Sequence, residues 1–101
     1  MTRQYRAYSD FLLEKLRDPQ RALAYLNEAF NDEDQRVFLL ALKNVLEAQG
    51  GDITSVAQAA NLSRQNLYKV LSPKGNPKLT SLRSVLHALG FELAIQPFEH
   101  K

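Results

Sequence analysis

Positions 63–69 read Ser-Arg-Gln-Asn-Leu-Tyr-Lys, and every residue but Leu67 ends in a group that donates or accepts hydrogen bonds. Arginine can hold guanine bidentately, and glutamine or asparagine can do the same for adenine. Gathered at the start of one short helix, Ser63, Arg64, Gln65, Asn66, Tyr68 and Lys69 are candidate contacts to base edges, with Tyr68 suited to a thymine methyl or a phosphate. Chemistry of a catalytic kind finds no such constellation. Glu92, Glu99 and His100 crowd one end, His87 stands alone, and no carboxylate pair, activated nucleophile or glycine-rich phosphate loop can be assembled. The chain is expected not to be an enzyme. Without cysteine, and with only two histidines, neither a disulfide framework nor a metal site is expected, and no cofactor.

The charge around the candidate contacts has one sign. Residues 1–52 hold seven Lys or Arg against nine Asp or Glu, a net of −2, whereas residues 53–101 hold six against two, a net of +4. From Ile53 to Phe91 every formal charge is positive: Arg64, Lys69, Lys74, Lys78 and Arg83. Such a field attracts a polyanion. Thr54, Ser55, Lys74, Asn76 and Lys78 flank the polar heptad and are candidate phosphate contacts, which contribute affinity without specificity. Arg83, farther along, reads as a solvated or interface charge.

Positioning those groups requires helices, and helix boundaries can be read from the capping residues. Ser9 or Asp10 is expected to open a first helix carrying Phe11, Leu12, Leu13 and Leu16 and ending near Arg17. Asp18-Pro19 restarts the chain as cap and first helical residue, with Ala22, Leu26, Ala29 and Phe30 on one face. Asp32 is expected to begin a third helix, with Gln35 completing a capping box, a buried stripe of Phe38, Leu42, Val45 and Leu46, and a stop at Gly50-Gly51. Asp52 can cap a short helix over 53–60, which Asn61 ends in a left-handed conformation. Ser63 then caps a helix over 64–71, with Leu67, Val70 and Leu71 inward. Ala57 is small where the two helices cross. After a loop over 72–77, Leu79, Leu82, Val85, Leu86 and Leu89 mark a last helix closed by Gly90.

The expected fold is therefore all-α with five to six helices, followed by one short strand. After Gly90 the period becomes two, with Phe91, Leu93 and Ile95 on one side and Glu92, Ala94 and Gln96 on the other. A lone strand leaves its backbone groups unpaired, so pairing across a two-fold homodimer is expected, with an extended packed tail as the alternative. Composition supports a folded chain: 45% hydrophobic and 24% charged residues are ordinary globular values. No apolar run approaches the roughly 20 residues of a membrane-spanning helix, and MTRQYRAYSD lacks the apolar stretch of a secretion signal, so a cytoplasmic location is expected.

Residues 56–71, followed by GNPKLTSLRSVLHALGFEL, resemble the repressor-type helix-turn-helix of the lambda-repressor-like superfamily, the Xre type. Together with LRDPQRALAYLNEAFNDEDQRVFLLALKNVLEAQGGD, the chain from about Phe11 to Pro97 resembles the addiction-module antidote proteins, antitoxins encoded beside a small toxin. The more specific pieces are Asp18-Pro19, Tyr25-Leu26-Asn27, Leu67-Tyr68-Lys69, Gly75-Asn76-Pro77 and Ala88-Leu89-Gly90. The resemblance implies a dimeric repressor of its own promoter that binds double-stranded, palindromic operator DNA and neutralises a cognate toxin of the RelE/ParE type. One departure is Ile53, where the repressor class often opens the first helix of the motif with a polar residue.

On this reading residues 1–31 form a helical extension and residues 32–101 the helix-turn-helix domain with its strand. Tyr5, Tyr8, Phe11 and Tyr25 in the extension are candidate toxin contacts, against the plainer reading of rings packed on the third helix. The alternatives to an antitoxin repressor are a stand-alone helix-turn-helix regulator and a helical interaction module that never meets DNA.

Overall fold

Side-chain caps and left-handed residues punctuate the chain as its sequence requires, and the described part folds into six α-helices and one π-helical turn. The computed structural model describes residues 2–50, 53–72, 74 and 76–98. The helices are α1 (Thr2–Leu16), α2 (Pro19–Phe30), α3 (Gln35–Val45), α4 (Ile53–Ala59), α5 (Arg64–Leu71) and α6 (Leu79–Ala88). The π-helical turn Leu46–Gly50 continues α3. The cap expected at Asp52 and the stop at Gly51 lie outside the described residues.

α1 starts well before the expected cap. No proline or glycine interrupts residues 2–8, and Arg, Gln and Ala there are good helix formers, so Ser9 and Asp10 are interior residues. At its other end, the Gln49 side-chain amide donates to the Leu16 carbonyl over 2.9 Å, satisfying one acceptor that the last turn leaves unpaired. Asp18 caps α2 as expected, accepting from the Gln20 N–H, and Pro19 follows it. The start of α3 requires a correction: its cap is Asp34 rather than Asp32, which makes Gln35 the first helical residue instead of the third member of a capping box. Asp34 accepts the Arg36 N–H at 3.0 Å and holds the Arg36 guanidinium at 2.7 Å, while Asp32 accepts the Asp34 N–H. Two linked turns make Asp34 the better anchor.

α4 and α5 are joined by a turn whose geometry follows from Asn61, at φ 59°. The Leu62 N–H reaches back to the Ala57 carbonyl and the Asn61 N–H to that of Gln58, the double bond of a Schellman ending. Ser63 then caps α5, its hydroxyl accepting the Asn66 N–H at 3.0 Å. The same ending closes α6: Gly90 stands at φ 89° and the Phe91 N–H bonds to the Leu86 carbonyl.

One hydrophobic core unites all six helices. It joins Leu16 of α1, Leu26 of α2, Leu42 and Val45 of α3, Val56 and Ala57 of α4, Leu67 and Leu71 of α5, and Val85 and Leu86 of α6. Ala57 is buried where α4 meets the rest, as its small size implies.

The expected C-terminal strand is not present: 91–98 forms no strand among the described residues. The segment lies as a tail with Phe91 and Leu93 half-buried against the core and Glu92, Ala94 and Ile95 exposed. Its alternation is real, but a single chain offers this segment no strand to pair with. Residues 92–97 make no backbone hydrogen bond among the described residues.

Leu67 is 0% exposed, so Leu67→Ala is expected to cost about 2–5 kcal/mol, and loss of the Ser63 cap in Ser63→Ala about 1 kcal/mol. Urea unfolding of the two variants checks both, and in that order of severity.

Candidate nucleic-acid interface

Because α5 turns by about 100° per residue, burial of Leu67, Val70 and Leu71 dictates where its other side chains go. Gln65 and Lys69 crown the outward face, Arg64 and Tyr68 lie on the flank toward α3, and Asn66 on the opposite flank. All five are exposed, and Tyr68 is 48% accessible despite its size. Their side chains make no hydrogen bond or ion pair among the described residues; the Asn66 N–H, not its amide side chain, serves the Ser63 cap. Ser63 differs from the other expected base contacts in that its hydroxyl also caps α5, accepting from the Asn66 N–H.

Two of the flanking groups, Lys74 and Asn76, are brought beside α5 by the loop that follows it. Lys69, Lys74 and Asn76 line one shallow cleft of about 370 Å³ with Val70, Ser72 and Pro77. Ser72 shapes the loop by accepting the Lys74 N–H at 3.3 Å. Lys78 stands at the N-cap of α6 without a side-chain hydrogen bond to it, and its ammonium is exposed. Thr54 and Ser55 are exposed in the first turn of α4. No carboxylate forms an ion pair with Arg64, Lys69, Lys74 or Lys78 among the described residues, where the two ion pairs are Arg21–Asp18 and Arg36–Asp34.

The aromatic residues of the N-terminal segment separate into two kinds. Tyr8 and Phe11, 67% and 56% exposed, follow one another at helical spacing on α1, and the Lys15 ammonium sits 4.4 Å from the Phe11 ring centre. Tyr25 is half-buried against the core, and its hydroxyl accepts a hydrogen bond from the Asn44 amide at 2.9 Å. That engagement makes it a structural residue joining α2 to α3. The side chain of Tyr5 lies outside the described residues. Phe30, 54% exposed, still meets Phe38 edge-on at 4.8 Å between ring centres.

One feature of this side of the molecule escaped sequence reasoning. Between α3 and α5 runs an apolar groove of about 380 Å³ lined by Val37, Leu40, Tyr68 and Leu71, with Arg36 and Lys43 at its margins. Tyr68 thus faces α3. The signal was available: Val37 to Leu42 is six consecutive apolar residues, more than one buried helix stripe uses.

Comparison with known proteins agrees with the span of this architecture. Residues 8–97 match the model of a family described as "Probable addiction module antidote protein". An uncharacterized protein of Haemophilus influenzae is 30% identical over 96 residues, covering 95% of each chain. No solved structure matches the chain.

If Tyr25 serves the fold, Tyr25→Phe should lower stability by about 0.5–1.5 kcal/mol in thermal or urea unfolding, by leaving the Asn44 amide without its acceptor.

Proposed function

The chain belongs to the family of probable addiction module antidote proteins, and from that premise we propose that it is a DNA-binding antitoxin which represses its own promoter. An antidote implies a cognate toxin as partner. The observation that supports the DNA reading is the exposure of Arg64, Gln65, Asn66, Tyr68 and Lys69 around the solvent side of α5 within a stretch that carries no acid. In this reading α4 and α5 form a helix-turn-helix of the repressor type, and α5 enters the major groove with its N-terminal residues foremost. Gln65 and Lys69 meet base edges, Arg64 and Asn66 reach bases on either flank, and Ser63 orients the helix through its cap. Thr54, Ser55, Lys74, Asn76 and Lys78 hold phosphates on both sides of the groove.

A palindromic operator calls for two copies of the chain. The tail supports one way of forming the pair: its Phe91 and Leu93 side rests on the chain's own core, Ile95 is fully exposed, and the backbone groups of 92–97 have no backbone partner among the described residues. Antiparallel pairing of two tails about a two-fold axis satisfies these groups, and the partner covers Ile95. Binding to successive major grooves requires such a dimer to hold its two α5 helices about 34 Å apart.

The toxin is assigned to the RelE/ParE type, and its contact to the outer face of α1, where Tyr8 and Phe11 expose large apolar surface. The acidic balance of residues 1–52 keeps this face away from DNA and suits a basic partner.

Electrophoretic mobility shift with DNA from upstream of the gene tests the first part. Arg64→Ala and Gln65→Ala are each expected to weaken specific binding by about 1–3 kcal/mol, and Lys74→Gln and Lys78→Gln each to flatten the salt dependence by about one unit. Full affinity in the Arg64→Ala/Gln65→Ala double variant would leave an interaction module without groove reading as the better account. Truncation after Leu93 is expected to sediment as a monomer, and an unchanged mass removes the tail-paired dimer. Tyr8→Ser with Phe11→Ser should abolish co-purification with the product of the neighbouring toxin-like reading frame while leaving DNA binding intact.

A further inference from the structure

α3 is apolar beyond what the fold uses. Its inner stripe, Phe38, Ala41, Leu42 and Val45, is buried in the common core, yet Leu40 remains 58% and Val37 38% exposed on the side that faces α5. Across from them, the Tyr68 ring and Leu71 complete a groove of about 380 Å³ with apolar walls. Nothing within the described chain covers it. The charges at its margins are both positive. Arg36 and Lys43, seven residues apart on α3, stand about 10.5 Å from each other along the helix axis, with Leu40 between them. Lys43 is exposed and has no ion-pair partner among the described residues, and no carboxylate side chain lines the groove.

Arg36 has a partner, Asp34, which lies outside the groove; the guanidinium hydrogen bonds hold that carboxyl below its usual pKa. Both groups are exposed, so an incoming carboxylate can share or replace Asp34 at small cost.

We propose that this groove is the docking site of an acidic amphipathic helix from a partner protein. The geometry selects each part of that description. A cleft between two helices accepts a third helix, whose apolar residues at spacings of three and four would sit over Val37, Leu40 and Tyr68. Cations two turns apart select carboxylates at the same separation. A nucleic-acid backbone fits less well, because Val37, Leu40 and Leu71 offer no donors to phosphate between the two cations.

The location gives the site a consequence for the DNA-reading face, and this part rests on the function proposed above. Tyr68 belongs both to the groove and to the outward face of α5, with Arg64 one turn before it on the same flank. A helix seated in the groove covers Tyr68 and places negative charge beside Arg64, so partner and operator compete.

The test uses the full chain, labelled with ¹⁵N, and two synthetic 16-residue amphipathic helices. Both carry leucines at the spacing above; one bears glutamates seven residues apart and the other lysines at the same positions. The acidic peptide is expected to bind at least tenfold more tightly than the basic one and to shift amide resonances of 36–43 and 68–72. Lys43→Glu should weaken acidic-peptide binding at least tenfold, and Leu40→Asn should abolish it, with unfolding midpoints of both variants close to the parent's. Because both residues are exposed, a folded variant is obtainable, and Lys43→Glu alone suffices if Leu40→Asn does not fold. Equal affinity for the two peptides, binding of neither, or shifts centred on α1 overturns the proposal. So does loss of operator binding in Leu40→Asn without peptide, which would make the groove part of the DNA interface. In a separate arm the acidic peptide should displace a labelled duplex of upstream DNA. If the duplex never binds, the DNA reading fails while the peptide result still decides the groove.

Discussion

The burial of Leu67 fixes what the rest of the molecule can present. It is fully enclosed by the common core, and Val70 and Leu71 follow it inward on the same stripe. Once those three are buried, the rotation of a helix leaves no freedom in where Arg64, Gln65, Asn66, Tyr68 and Lys69 point. The short length of α5 makes this constraint necessary: eight residues do not form a stable helix alone, so packing and the Ser63 cap must supply what propagation does not. The Asn61 turn then sets the angle at which α5 leaves α4.

Function in this account is divided by charge along the chain. The acidic N-terminal half builds α1, α2 and α3, and their exposed apolar groups, Tyr8 and Phe11 on one face and Val37 and Leu40 on another, suit protein partners. The basic half builds α4 to α6 and carries the net positive charge. One core joins the halves, so a partner on the first packs on the same core that supports the second. The α3–α5 groove is where the two kinds of surface meet.

Much of this was legible before any coordinates, because caps and left-handed residues act locally. Asp18-Pro19, Asn61, Ser63 and Gly90 stand where the sequence places them, and α5 spans the expected 64–71. The misreadings share a cause, that several residues could perform the same local task. Asp32, Glu33 and Asp34 are all plausible caps, and only the additional grip of Asp34 on Arg36 decides among them. Ser9 and Asp10 resemble a helix start, yet nothing in residues 2–8 prevents the helix from beginning earlier. The tail has the alternation of a strand, but a strand is defined by its neighbour, and alternation cannot say whether one is there. The link from Tyr25 to α3 is not legible in the sequence, because its hydroxyl partner, Asn44, is 19 residues away.

In the function proposed above, the polar side of α5 is what this protein offers to DNA. Amide chemical-shift mapping of the full chain with a duplex covering its own upstream region is the decisive measurement. The largest changes are expected on 63–69, with smaller ones at Thr54, Ser55, Lys74, Asn76 and Lys78. Changes confined to α1 and α2, or the same response to an unrelated duplex at physiological salt, would contradict it.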